Sequence, residues 1–441
     1  MYKMSNTTIN VIDAPCGRGK TSWAIQYMNE MRTYTHQFIY VTPFLEEVER
    51  VKNAVTTRVF HEPLARKGET KLDNVHKLLR KGKDICTTHA LFQMATSETM
   101  ELLKENNYTL ILDEVVNVIE QIPLRKDDLS LLLDANAIDI IENDSGLKYI
   151  KWNKDKKNYD TKYNRIKQIA LTNNLMYCDN SALIWNFPCE IFLSFNNVFI
   201  LTYLFSGQLQ KSYYDLYKIK YKYLSVQPSE DGYEIIPYGQ RKHLDKIRMK
   251  ELISVYEGKY NEVGDKTYSL SSSWLKKPSN KKLLKILSDN TRNYFMNNYK
   301  ERVENVMWTT VKGEEDKRNK GKIEKMVSPK GYANGFVPMT SRATNKFKEK
   351  KCLAYLVNRY LNPIEKKFFD QYGVEIIQDT WALSELIQWV WRSRIREGLP
   401  ITIYIPSIRM RDLLKRYLES EVFEEAPINA IVDEPASDWH L

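Results

Sequence analysis

The chain has 441 residues, of which 43% are hydrophobic and 28% charged, with a net charge of +10 and a pI of about 9.0. This length predicts two or three domains, and the composition excludes a disordered or fibrous chain in favour of an ordinary globular protein. The positive charge favours a polyanionic partner such as nucleic acid, and a lysine-rich surface that serves only solubility is the alternative.

Cysteine and hydropathy patterns exclude further classes. The five cysteines are scattered singly, which argues against both a zinc site and a disulfide framework. The N-terminus lacks the apolar segment of a signal peptide, and no apolar run reaches about 18 residues. The sequence therefore predicts a cytoplasmic protein, in a bacterium or an infected host, with no membrane partner. Its Lys, Asn, Ile and Tyr bias is typical of an AT-rich genome, such as that of a phage.

Strand-like apolar runs alternate with helix-length segments, as is typical of parallel α/β domains. The strands predicted in the first half are 9–12, 38–41, 84–87, 110–112 and 198–201. The helices predicted between them are 21–31, 45–54 and 90–105. The strands predicted in the second half are 306–308, 335–338, 374–377 and 401–405.

Breaks in this alternation predict how the chain is divided. A segment rich in Lys, Asn and Asp, at about 123–185, indicates an insertion in the first domain. The expected division in chain order is 1–210 for the first domain, 211–300 for a linker and helical bridge, 301–425 for the second domain and 426–441 for an acidic tail.

The strongest motif is Ala-Pro-Cys-Gly-Arg-Gly-Lys-Thr at 14–21, between the first predicted strand and the first predicted helix. Its glycines allow backbone N–H groups to converge on a phosphate at the positive end of the helix. Lys20 would contact the β- and γ-phosphates, and the Thr21 hydroxyl would ligate Mg²⁺. The motif predicts a P-loop ATPase with ATP and Mg²⁺ as cofactors. The predicted nucleotide-binding residues are Ala14, Gly17, Arg18, Gly19, Lys20 and Thr21.

Two acidic residues, Asp113 and Glu114, follow the predicted strand 110–112. Asp113 would hold Mg²⁺ through its waters, and Glu114 would orient and deprotonate the attacking water. Alone, such a pair usually marks only the end of a strand. The P-loop upstream makes the catalytic interpretation the favoured one.

A third motif, Gln-Trp-Val-Trp-Arg-Ser-Arg-Ile-Arg at 388–396, is predicted to be helical. At helical spacing Gln388, Arg392 and Arg396 lie on one face. An inserted arginine stabilises the charge that spreads over the phosphoryl oxygens during transfer. A basic surface helix with its tryptophans packed inward is the alternative.

In this order the three motifs resemble motifs I, II and VI of superfamily 2 DExD/H-box helicases and translocases. Motif I is similar down to its leading alanine, and motif II corresponds to 113–116. The sequence around motif II more distantly resembles phage replication helicases and herpesvirus-type origin-binding helicases. Weaker similarities also fall in order, at 41–43 (motif Ia), 87–92 (the backbone-touching segment before motif II), 201–206 (motif III), 308–310 (motif IV) and 342–345 (motif V).

The resemblance implies an α/β fold of two RecA-like P-loop domains, with ATP bound in the cleft between them and the insertion in the first. The catalytic residues that it implies are Glu114, Gln388 and Arg392, with Arg394 or Arg396 as the arginine finger. The implied coupling residues are Thr202 and Ser206. The implied nucleic-acid contacts, each of which could instead be a loop cap or turn residue, are Pro43, Thr88, His89, Arg342, Thr344 and Asn345.

The sequence departs from the family in three ways. The family's arginines stand four and seven residues after the Gln or His of motif VI, but here they follow Gln388 by four, six and eight. Motif III lacks the usual Ser/Thr-Ala-Thr. No glutamine motif that would read adenine precedes the P-loop, so ATP as the nucleotide is implied by the resemblance.

The function predicted is an ATP-dependent helicase or translocase, stimulated by nucleic acid, in phage or mobile-element replication or recombination. Single-stranded DNA is the favoured partner, RNA remains open, and replication proteins are further partners. One alternative is another P-loop motor, such as a DNA-packaging ATPase, although the second half shows no recognisable cluster of acidic nuclease ligands. The other is a non-catalytic binding protein with a helicase-like fold.

Overall fold

The structure is a computed structural model that describes residues 7–179, 182–240, 244–312, 323–339 and 346–420. The predicted nucleic-acid contacts Arg342, Thr344 and Asn345 lie outside the described residues, as does the expected tail at 426–441. The described strands are β1 Ile9–Asp13, β2 Gln37–Thr42, β3 Ile85–Thr88, β4 Tyr108–Asp113, β5 Ile119–Ile122, β6 Ile138–Glu142, β7 Lys148–Trp152, β8 Leu175–Cys178, β9 Ala182–Asn186, β10 Asn197–Thr202, β11 Tyr221–Ser229, β12 Gly232–Pro237, β13 Ile253–Val255, β14 Val306–Thr309, β15 Cys352–Tyr355 and β16 Ile401–Tyr404.

The helices connect these strands in an α/β arrangement. The described α-helices are α1 Lys20–Glu30, α2 Leu45–Ala54, α3 Lys71–Arg80, α4 His89–Phe92, α5 Ser97–Lys104, α6 Lys126–Asp134, α7 Asn164–Leu171, α8 Leu209–Leu216, α9 Leu244–Leu252, α10 Ser272–Lys276, α11 Lys281–Asn293, α12 Ile323–Met326, α13 Pro363–Asp370, α14 Gln378–Val390 and α15 Ile408–Glu419.

The first sheet has seven strands in the order β12-β11-β1-β10-β4-β2-β3. All neighbours are parallel except β11 and β12, which form an antiparallel hairpin at one edge. Successive residues of β1 point to opposite faces of the sheet. Val11 is buried in the core on one face, and Ile12 is buried in the core on the other. Burial on both faces explains why these strands are nearly continuous apolar runs.

A separate antiparallel sheet lies between β4 and β10 in the chain. It has five strands in the order β5-β9-β8-β7-β6 and its own core, which includes Leu132, Ile150 and Ile166. This sheet occupies the region where the sequence predicts an insertion, and it separates the acidic pair from β10 along the chain.

The second parallel sheet has four strands in the order β13-β16-β15-β14. Its cores also lie on both faces, with Leu353 on one and Ala354 on the other. Helix α14 packs on the first of these faces and ends at Val390. Its C-terminal end therefore projects the residues that follow towards the first sheet.

Three predicted elements are wrong in the structure. The single helix predicted over 90–105 is two helices, α4 and α5, because Thr96 caps a new helix with Thr99. Residues 335–338 contribute only one bridge, between Phe336 and Trp308, after a 3₁₀ turn. Residues 374–377 form no strand; this extended segment is buried through Ile376 in the core of the first sheet instead.

The segment expected to be a linker at 211–300 is divided between the two parallel sheets. Strands β11 and β12 belong to the first sheet, and β13 belongs to the second. Conversely, α13 lies between strands of the second sheet in sequence, but Phe368 and Phe369 pack in the first core. The chain therefore crosses between the two sheets more often than the pattern of apolar runs predicts.

Candidate functional site

A cavity of about 370 Å³ lies between the carboxyl edge of the first sheet and the end of α14. Carboxyl edges of parallel sheets are where α/β proteins usually bind ligands. Two groups of lining residues are named here by their side of the cavity. The first wall comprises Gly17, Gly19, Lys20, Thr21, Asp113 and Glu114, and the second wall comprises Gln388, Trp391, Arg392 and Arg396.

The P-loop of the first wall connects β1 directly to α1. Gly17 has φ 80° and Gly19 has φ 90°, a left-handed conformation that favours glycine. Helix α1 begins at Lys20 with no side-chain cap and no acidic residue in its first turn. The N–H groups and the positive end of the helix dipole therefore face the cavity, as an anion-binding site requires.

Two polar residues of the P-loop lie at the beginning of α1. The Lys20 ammonium donates hydrogen bonds to the carbonyl oxygens of Ala14, at 2.5 Å, and Pro15, at 3.1 Å. Thr21 lines the cavity beside it, whereas Ala14 is fully buried behind the loop and Arg18 is not among the lining residues. Of the predicted nucleotide-binding side chains, Lys20 and Thr21 are thus the ones that reach the cavity.

Asp113, the last residue of β4, lines the cavity and makes contacts with Tyr40 and His89. The Tyr40 hydroxyl donates to its Oδ2 at 2.9 Å, and His89 Nε2 lies 2.9 Å from its carbonyl oxygen. Burial is the main cause that raises the pKa of the Asp113 carboxyl to about 7, and the nearby Glu114 charge acts in the same direction. Such a carboxyl is poised to bind a cation, because a positive ion would offset both unfavourable effects.

Glu114 adopts a left-handed backbone conformation, with φ 64°, which is unusual for a non-glycine residue. Its N–H donates to the Leu201 carbonyl at 2.9 Å, which ties this conformation to β10. Its Oε2 is buried without a hydrogen-bond partner among the described residues. A left-handed backbone at a non-glycine residue and a buried carboxylate oxygen without a partner among the described residues are both typical of functional sites.

The second wall begins on α14 and continues beyond its end. The predicted continuous helix over 388–396 is wrong, because the chain turns after Val390 and resumes as a 3₁₀ helix at Arg394–Glu397. Ser393 makes this break in an extended conformation, and its hydroxyl accepts a 3.5 Å bond from the Ile395 N–H. Gln388 and Arg396 nevertheless line the same cavity.

The three arginines of this motif have different surroundings. Arg392 is 6% exposed, and its guanidinium donates to the carbonyl oxygens of Pro338 and Met339 at 3.1 and 2.8 Å. Arg394 donates through Nε to the Pro400 carbonyl and does not line the cavity. Arg396 is exposed and lines it. Of the three arginines, Arg396 is therefore the exposed one that lines the cavity.

The two walls touch at the P-loop. A Cβ added at Gly17 would lie 3.0 Å from Cζ2 of Trp391, so the indole packs directly against the loop. This contact brings the second wall to the phosphate-binding segment. Burial of Cys16 in the same loop raises the pKa of its thiol to about 11, so this cysteine is not a thiolate nucleophile at neutral pH.

The predicted coupling residues lie at the end of β10 and in the loop after it. Thr202 is buried, its carbonyl accepts the Ala14 N–H at 3.1 Å, and its hydroxyl has no partner among the described residues. Ser206 is buried in the 3₁₀ helix Phe205–Gly207. Neither residue lines the cavity. Their positions instead join the P-loop backbone to the loop that follows β10.

That loop reaches from the first sheet into the core of the second. Asp13, at the end of β1, accepts hydrogen bonds from the N–H groups of Leu204 and Phe205 at 3.0 and 2.9 Å. Leu204 packs in the second core, and Gln208 donates to the Ser384 hydroxyl on α14 at 2.8 Å. Sequence patterns missed Asp13, because a lone acid at the end of a strand is common.

The structure describes three of the six predicted nucleic-acid contacts, and their role stays a prediction. Pro43 lines the cavity, and His89 contacts the backbone of Asp113. Thr88 ends β3 and is half-buried. The sequence also missed Tyr233, which lines the cavity from β12, and nothing in its local pattern distinguishes it from the chain's other tyrosines.

The donor set of the first wall fits a polyphosphate with a hydrated divalent cation. The loop amides and Lys20 match an anion, and Thr21 and Asp113 offer the hard oxygen atoms that Mg²⁺ takes in small number beside substrate phosphates. Glu114 Oε2, which is buried and has no hydrogen-bond partner among the described residues, fits a site in which a bound water or ligand would satisfy it. Within the described ranges, no helix is both long and apolar enough to cross a membrane.

Comparison with known proteins places the chain in a family. The model of the YonV C-terminal Rossmann-like domain matches residues 247–418, and that of the YonV middle domain matches 119–185. The solved structure of S. tokodaii Xpd4 is similar over 94% of this chain and 95% of that one, with 11% identity and a TM-score of 0.45. The chain is 40% identical over 425 residues to the SPbeta prophage-derived uncharacterized protein YonV of Bacillus subtilis (strain 168), across 94% of this chain and 99% of that protein. The chain therefore belongs to the YonV family.

Proposed function

We propose that the chain is a Mg²⁺-dependent ATPase of the helicase type that translocates on or unwinds nucleic acid. One observation carries the proposal: a single cavity contains a P-loop, two successive carboxylates and two arginines, Arg392 and Arg396, from the segment after α14, the helix that packs on the second parallel sheet. The resemblance to superfamily 2 motifs supports two RecA-like domains around this cavity. The prophage origin of the similar protein supports a role in phage or mobile-element replication or recombination.

The first wall binds the triphosphate. Loop amides after Gly17, together with the N-terminal turn of α1, hold the phosphates, and Lys20 neutralises their charge. Thr21 and Asp113 hold Mg²⁺, whose chemistry is to neutralise and orient the terminal phosphates. The buried position of Asp113 strengthens these electrostatic interactions because water screens them less.

Hydrolysis uses a water molecule held by Glu114. Its buried, unpartnered Oε2 is available to accept a proton from that water. Gln388 contributes a polar group from the second wall, and Arg396 stabilises the charge that develops on the transferred phosphoryl group. Arg392 holds the backbone at 338–339 and so fixes the wall on which Arg396 stands.

Nucleic acid is the partner that the motor moves. Closing the cavity around ATP would bring the two sheets together, and the loop after Thr202 would carry that change into the second core. The predicted contacts would hold the phosphates of the nucleic acid without reading its sequence. They are Pro43, Thr88 and His89, together with Arg342, Thr344 and Asn345, which lie outside the described residues. The net charge of +10 supports a salt-sensitive grip on the phosphates of a nucleic acid, and single-stranded DNA stays the favoured partner with RNA as the alternative.

The rate of phosphate release tests this function. The full chain is supplied with ATP and Mg²⁺, alone and with single- and double-stranded DNA and RNA at one ionic strength. We expect single-stranded nucleic acid to raise turnover several-fold, and chelation of the metal to abolish it. Lys20→Ala should remove turnover, because the triphosphate loses its main cationic contact, and should largely preserve strand binding.

The matched control is Lys282→Ala, at an exposed position of α11. It should leave the rate of phosphate release unchanged. The proposal fails if the wild-type rate equals that of Lys20→Ala, or if turnover is indifferent to every nucleic acid in the panel.

A further inference from the structure

The hairpin of β11 and β12 lies beside the P-loop. Strand β11 runs parallel to β1, with Leu224 opposite Ile12, and continues to Ser229. Tyr233, on β12, pairs with Pro228. At about 3.3 Å per residue, Tyr233 is thus about 10 Å beyond the end of β1, on the same edge of the sheet from which the P-loop leaves.

The ring of Tyr233 packs directly on the P-loop. A Cβ added at Gly19 would lie 1.9 Å from Tyr233 Cε1 and 2.3 Å from Cδ1, so no side chain fits between them. The N–H of Tyr233 donates to Gln26 Oε1 at 2.9 Å, which ties its backbone to α1. The ring is half-buried, and it lines the cavity.

Tyr233 and the carboxylates lie on opposite sides of the P-loop. In the sheet order, β4 with Asp113 stands two strands from β1 on one side, and β12 stands two strands from β1 on the other. Asp113 and Glu114 must meet the metal and the terminal phosphate for hydrolysis. The nucleoside end of a triphosphate that lies along the P-loop therefore points towards β12.

We propose that Tyr233 is the nucleobase-binding residue of this site and that it holds the base of the nucleotide by stacking. The proposal rests on the proposed function, because it requires a nucleoside triphosphate at the P-loop. Tyr233 would thereby supply the contact with the base that a glutamine motif, which this sequence lacks, would otherwise supply. Stacking needs only the aromatic face of a base, which every nucleobase has. We therefore expect ATP and GTP to bind with similar affinity, and pyrimidine nucleotides, with their smaller rings, to bind more weakly.

Binding of ATP and of inorganic tripolyphosphate to the full chain separates base contacts from phosphate contacts. Tyr233→Ala should weaken ATP binding about tenfold and leave tripolyphosphate binding unchanged. Tyr233→Phe keeps the aromatic face and should bind ATP as the wild type does. Tyr159→Ala, at an exposed tyrosine of the antiparallel sheet region, is the matched control and should change neither affinity.

Two results would overturn the inference while leaving the proposed function intact. One is wild-type ATP affinity in Tyr233→Ala, and the other is an equal loss of ATP and tripolyphosphate affinity, which would assign the ring to loop structure alone. If the wild-type chain bound neither ATP nor tripolyphosphate, the proposed function itself would fail, and the inference would fail with it.

Discussion

The two walls of the cavity are built in different ways. In the first wall, Asp113 and Glu114 are half-buried, and Glu114 has a left-handed backbone and one buried carboxylate oxygen with no hydrogen-bond partner among the described residues. In the second wall, Arg392 donates to the backbone carbonyls of Pro338 and Met339. The first wall thus presents two carboxylates to the cavity, whereas the second wall is fixed by Arg392 and presents Arg396 from a 3₁₀ helix.

This difference between the two walls indicates how the rate of hydrolysis would be controlled. In the proposed function, the first wall alone would hold the phosphates and the metal. Arg396 would act on the phosphoryl group only while the second wall faces the first across the cavity, as it does in this structure. Hydrolysis would then depend on the conformation of the cleft, which nucleic acid can bias by binding across both sheets.

The largest effect on the first wall is expected from Glu114→Gln. The amide cannot accept the proton from water, so we expect the rate of phosphate release to fall about 10²- to 10⁴-fold, with ATP affinity preserved. Phosphate release and equilibrium nucleotide binding measure the two properties separately. Glu101→Gln, at an exposed position of α5, is the control. A rate within about twofold of the wild type would remove Glu114 from the mechanism.

A smaller effect is expected where the two walls are joined, at Asp13. Asp13→Asn replaces one of the two oxygens that accept the Leu204 and Phe205 N–H groups with an amide donor. The buried mismatch should lower the free energy of unfolding by about 1–3 kcal/mol, as measured by denaturant titration. The exposed Asp139→Asn should leave it unchanged. Equal stability of Asp13→Asn and the wild type would contradict the structural role assigned to Asp13.

The sequence predicted the position of the P-loop between a strand and a helix because the determinants of this segment are local. The apolar strand β1, the glycines of the P-loop and α1 follow one another within 9–30, and each requirement acts on neighbouring residues. Asp113 could be placed because parallel strands end at a common edge. The same reasoning predicted the α/β class from the apolar runs.

The parts of the fold and of the candidate site that the sequence did not predict depend on contacts between residues far apart in the chain. Tyr233 reaches the P-loop only because β11 pairs with β1, and no local pattern encodes that pairing. The residues 374–377 look like a strand, but they are buried against the first core instead. The break at Ser393 removed the helical spacing on which the choice among the arginines depended.

The central claim is that the second wall completes the site, and comparison of Arg396→Ala with Arg394→Ala tests it most directly. Both variants remove one arginine from the same 3₁₀ helix, but only Arg396 lines the cavity. Phosphate release in the presence of single-stranded nucleic acid should fall about 10³-fold in Arg396→Ala, and by no more than about twofold in Arg394→Ala. Equal rates in the two variants, or a wild-type rate in Arg396→Ala, would contradict a site completed across the cleft.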